Sequence, residues 1–122
     1  MMLDDICEAA LLLATEEDAG LWQVLWEANS IAPELDAAER RRTVARVVSA
    51  LAQHGLITVA WSGWNGRDQR PVPPQRVEHV VRDDAYWEPP GPGGPALAIN
   101  VTEKGEAHYA GPLRGRWIFD ES

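Results

Sequence analysis

A chain of 122 residues is short enough for one domain and long enough to bury one hydrophobic core without disulfides. With 45% hydrophobic residues and six Trp it is not a disordered chain, and its single cysteine, Cys7, excludes an intramolecular disulfide. The net charge of −8 hides an asymmetry: residues 1–35 hold eight acids and no base, whereas residues 40–82 hold eight Arg against Asp68 and Glu78. Such a division either neutralises itself across the fold or leaves the basic stretch to face an anionic partner.

Residues 4–14 make the first predicted helix. Ile6, Cys7, Ala10, Leu11 and Ala14 recur at helical spacing, with Asp4 and Asp5 at the favoured end of the dipole. Thr15, followed by acids at 16–18, is a candidate N-cap, so a second helix is expected to begin there. Its Leu21, Leu25 and Ala28 share one face, and Trp22 and Trp26 stand one turn apart beside it. So wide an apolar stripe belongs in a core or in a homodimer seam.

Asp36-Ala-Ala-Glu39 has capping-box spacing, with Asp where Ser or Thr is commoner. The helix it opens should run to about His54 and bury Val44, Val47, Val48 and Leu51. Arg40, Arg42, Arg46 and Gln53 lie largely off that face, and Gly55 ends the helix as a C′ glycine. From Leu56 to Trp61 the pattern alternates as in a strand, with Ile57, Val59 and Trp61 on the buried side. Residues 62–95 form a long excursion: Asn65-Gly66 is a turn, and Pro71, Pro73 and Pro74 break a continuing strand. Within it, residues 74–82 can make a short helix with Val77, Val80 and Val81 inward, ahead of a stiff Pro/Gly connector at 89–95. Ala96 to Val101 alternates again and should pair with the earlier strand. Thr102 then caps a last helix that ends before Gly111-Pro112. The expectation is one mainly helical domain over 1–110 with a small antiparallel β-wing, followed by a tail at 111–122.

Two stretches resemble a known family. RTVARVVSALAQHGLIT at 42–58 and INVTEKGEA at 99–107 look like winged-helix (winged helix-turn-helix) regulators of the MarR and PadR type. In that family a recognition helix with Thr-Val near its start ends in Gly-Leu-Ile and leads into the first wing strand. The second wing strand leads into Thr-Glu-Lys-Gly. The resemblance implies a DNA-binding module, a dimeric transcription regulator, with Arg41, Arg42, Thr43 and Arg46 entering the major groove. Arg67 and Arg70 would act from the wing on the backbone or a flanking minor groove. Ile31 to Glu39 departs from the pattern, because it lacks the glycine-bearing turn before the recognition helix; one long helix could replace two.

Chemistry-bearing patterns are sparse. His54, His79 and His108 are isolated, and no His or Cys pair has ligand spacing, so no metal is expected. Cys7 falls on an apolar helix face with no cation nearby, which describes an inert thiol. Ser30, Ser49 and Ser62 lack an elbow glycine pattern, and Gly91, Gly93 and Gly94 lack the Lys-Ser or Lys-Thr of a phosphate loop. No catalytic residue and no cofactor are therefore expected. No apolar run approaches the roughly twenty residues of a membrane span, and no targeting signal opens the chain, so the expected location is the cytoplasm. A second function class stays open beside DNA binding: a non-catalytic partner protein of inhibitor or immunity type. Trp61, Trp64, Trp87 and Trp117 are expected first as core anchors; where exposed, Trp64, Trp87 or Trp117 would make the contact together with the acidic first third.

Overall fold

A computed structural model describes residues 2–15, 20–62, 70–83, 86–87 and 96–110. In chain order these are α1 (Met2–Ala14), α2 (Leu21–Ile31), α3 (Ala37–Gln53), β1 (Ile57–Ser62), β2 (Arg70–Pro71), α4 (Pro74–Val80), β3 (Ala96–Val101) and α5 (Glu103–Ala110). The fold is mainly helical with a small antiparallel sheet, as expected.

The core is what the helical periodicity marks out. Ile6, Cys7, Ala10, Leu11 and Ala14 of α1 and Val44, Val47, Val48 and Leu51 of α3 are all buried. α1, α2 and α3 pack on one another, and β3 closes against α1 and α2. Asp36 caps α3 as its spacing predicts, accepting from the Glu39 N–H at 2.8 Å. Gly55 ends that helix with φ at 76°, a left-handed conformation that costs glycine least.

The second helix differs from expectation at its start. Thr15 belongs to the end of α1: its hydroxyl donates back to the Leu12 carbonyl at 2.6 Å. α2 begins only after Gly20, whose N–H donates to Gln23 Oε1 at 2.6 Å. The acids at 16–18 lie outside the described residues. Its buried face is Leu21, Val24 and Ala28, so the helix is rotated from the expected Leu21/Leu25/Ala28 stripe. That rotation leaves Trp26 62% exposed and Trp22 half-buried, packed edge-to-face at 5.6 Å. Within the chain the tryptophan pair is therefore not core, contrary to the first alternative for it.

No long helix replaces α2 and α3. The chain turns over residues 32–36 without a glycine, because Arg40 supplies the missing donors. Its Nη1 reaches the carbonyls of Ala32 at 3.3 Å and Pro33 at 3.4 Å, and that of Leu35. Three carbonyls of the turn thus share one guanidinium, that of Ala32 also accepting from the Leu35 N–H at 3.2 Å.

Among the described residues the sheet has three strands in the order β2-β1-β3, not two. β1 pairs β3 in the register Ile57↔Val101 through Ser62↔Ala96, which sets Val59 against Ile99 on the buried side. The excursion returns along the free edge of β1, with Pro71 opposite Ala60 and the Val72 N–H donating to Val59 O at 2.8 Å. An edge is where a strand proline is tolerated, since its missing N–H need find no partner. Ala60 is buried beside Ala98, so the second face of β1 is partly covered as well.

The Thr-Glu-Lys-Gly turn docks the start of α5 on the end of α3. The Gly105 N–H donates to Thr102 Oγ1 at 3.0 Å, the cap read from the sequence. The same hydroxyl lies 2.6 Å from Gly55 O, and the Lys104 ammonium donates to His54 O at 2.8 Å.

Candidate nucleic-acid interface

Consecutive helical residues are about 100° apart, so the run Arg40-Arg41-Arg42 points three ways. Arg40 turns back onto the α2–α3 turn. Arg41 is half-buried, with its guanidinium carbon 5.2 Å from the centre of the Trp87 ring and Nη2 at 3.4 Å from Arg82 O. Arg42 is exposed, and Arg46, one turn further on, is exposed beside it.

Arg42 and Arg46 line an open groove of about 620 Å³ between α3 and α4. Ala45, Ser49, Ala50 and Gln53 of α3 form the rest of that wall, and Glu78 of α4 and Arg82, in the turn just after it, face them. Arg82 pairs with Glu78 at 3.1 Å, both side chains being exposed. Such a pair is a weak constraint in water, so the Arg82 guanidinium can turn to another anion at small cost. Towards the start of α3 the groove continues into a depression lined by Ala38, Arg41, Val81 and Trp87.

α4 is held against this face by a buried tryptophan. Trp87 is only 5% exposed, its indole N–H donates to Val81 O at 2.7 Å, and Arg41 covers the ring. Trp87 as an exposed protein-binding anchor is thereby ruled out: a residue next to a proline run is buried by an arginine far away in sequence. Arg41 in turn is a clamp on the excursion before it is a reader of any ligand.

The structure brings together Arg41, Arg42 and Arg46 of the expected DNA-contacting set and adds Arg82, which the sequence offered only as one charge in a basic stretch. Thr43 is half-buried and its hydroxyl donates back to Glu39 O at 2.8 Å, an intrahelical bond that occupies its proton. Arg70 is exposed on β2, opposite Trp61, and does not line the groove. Arg67, Trp64 and Trp117 lie outside the described residues.

The helices α1 and α2 pack on α3, whose buried face includes Val44, Val47, Val48 and Leu51. Arg42, Arg46 and Gln53 fall on the side of α3 opposite to Val44, Val47 and Leu51. Among the described residues the groove has one acid in its lining, Glu78. Among them, too, no group of three or more His, Cys, Asp or Glu could hold a metal ion, and no helix is long and apolar enough to cross a membrane. Compared with known family models, curated proteins and solved structures, the chain matches none.

Proposed function

We propose that this domain binds duplex DNA through α3 and α4 as a winged-helix-type module, in the service of transcription regulation and without catalysis of its own. One observation carries the reading: Arg42, Arg46 and Arg82 line a single open groove whose only described acid is Glu78. Guanidinium groups on a helix face grip phosphate oxygens or fork onto guanine. The local order supports it as well, since α2, a short turn and α3 precede β1, with β3 returning beside it. α4 lies along α3 and would enter the contact with it, widening the face beyond a single recognition helix.

Fluorescence anisotropy with random and genomic duplexes tests the proposal. Three arginines on phosphate give a log–log salt dependence of affinity with a slope of roughly −2.7, at about −0.9 per neutralised phosphate. Arg42→Glu with Arg46→Glu should abolish binding and leave the circular dichroism spectrum unchanged, because both side chains point away from the core. No binding of any duplex at about 50 mM salt, where the screening length is roughly 14 Å, sinks the reading.

A further inference from the structure

We infer that the outer face of α2, centred on Trp22 and Trp26, docks a basic, arginine-bearing apolar segment of another protein. Among the described residues the exposed large hydrophobic side chains are Leu12 of α1, 49% exposed, and Trp26, 62% exposed. Trp26 leaves its indole in water although the same helix buries Leu21, Val24 and Ala28 completely or nearly so. Its partner Trp22 meets it at an interplanar angle of 86°, and an edge-on contact uses only one ring face of the pair. An aromatic surface is thus held in place with π faces to spare. Aromatic rings fixed by a neighbour lose little entropy on binding, which is why tryptophan dominates the energetics of protein contacts.

Charge selects the occupant. The 35 residues that include this face carry eight acids and no base, and Asp5, Glu27 and Glu34 are exposed. A second copy seated on α2 by a twofold axis would set this acidic third against itself. Nucleic acid and acidic proteins meet the same repulsion. A segment with arginines and apolar side chains meets none: guanidinium groups stack on indole faces and pair with Glu27, exposed next to Trp26 in α2, while apolar groups cover Trp26. The chain already makes this contact internally, where Arg41 lies over Trp87 at 5.2 Å. The face is separate from the α3–α4 groove, so the inference does not rest on DNA binding.

Selection from a random 16-residue peptide library on the full chain, counter-selected on Trp26→Ala, tests it. The expected peptides carry net positive charge with arginine prominent. Made synthetically, they should bind Trp26→Ala about ten-fold more weakly or worse, the loss of a modest hot spot. They should bind the Arg42→Glu/Arg46→Glu variant as they bind the wild type, whatever that variant does to DNA. Neutral or acidic winners, no winners, or equal affinity for Trp26→Ala overturn the inference. So does sedimentation that finds a wild-type dimer and a monomeric Trp26→Ala, since the occupant would then be a second copy.

Discussion

Replacing Gly105 by alanine should unlatch α5 from the end of α3. A Cβ at this position would stand 2.0 Å from the Leu56 carbonyl oxygen and 2.9 Å from Val101 Cγ2. The obstacle is backbone, so α5 must retreat by about 1 Å before the contact becomes tolerable. That movement stretches the Thr102 N–H bond to Leu56 O at 3.1 Å, the Thr102 hydroxyl bond to Gly55 O at 2.6 Å and the Lys104 bond to His54 O at 2.8 Å. Each is worth about 0.5–1.5 kcal/mol net, so losing two or three puts the destabilisation at roughly 1–4.5 kcal/mol. Urea unfolding followed by tryptophan fluorescence reads this directly. With a slope of about 1–2 kcal/mol per molar, the midpoint should fall by roughly 0.5 M or more while the slope stays constant. Adding Thr102→Val to Gly105→Ala should cost little further, because both act on the same latch. A loss below about 0.5 kcal/mol for Gly105→Ala, or full additivity of the pair, would refute the reasoning.

Trp87, which is buried, and Trp26, which is exposed against expectation, give a paired test by the same unfolding assay. Trp87→Ala should cost about 3–5 kcal/mol and Trp26→Ala no more than about 0.5 kcal/mol; equal losses would contradict the burial assigned to them. Asp36→Ala should cost about 1 kcal/mol by removing the α3 cap, and Asp36→Ser should restore most of it. A neutral Asp36→Ala would mean that the Arg40 contacts alone hold the turn.

Where apolar spacing is regular and one-sided, the fold was legible residue by residue. The buried positions of α1 and α3, the Asp36 cap, Gly55, the inward valines of α4 and the pairing of β1 with β3 all follow from local rules. α2 defeated the same rules because Leu21, Trp22, Val24, Leu25, Trp26 and Ala28 offer more apolar surface than one helix can bury against a small core. Only packing against α1, α3 and β3 decides which side goes in. β2 was hidden by its proline, whose edge position is visible only once β1 has a free edge to offer. The site was half legible. The spacing of Arg42 and Arg46 put both on one open helix face, but nothing local distinguishes them from Arg40 and Arg41. Those two are claimed by carbonyls at the α2–α3 turn and by a ring 46 positions along the chain. Arg82 enters the groove from the turn after α4, so its partnership with α3 is a tertiary fact.

β1 occupies the middle of the sheet, yet both of its neighbours come later in the chain. It ends at Ser62, while β2 begins at Arg70 and β3 at Ala96. The carbonyls at the close of α3 wait longer still, for Thr102 and Lys104, 47 and 50 positions away from Gly55 and His54. Contacts of that span form late, because the entropy of closing the intervening loop is spent before any of them forms. A chain growing from its N-terminus therefore has the helical layer available while β1 still has two bare edges. Folding order and sequence order coincide in the helices and part company at the sheet. The slow step is then expected to be the arrival of residues 96–105, which supply both the second partner of β1 and the bonds to the end of α3.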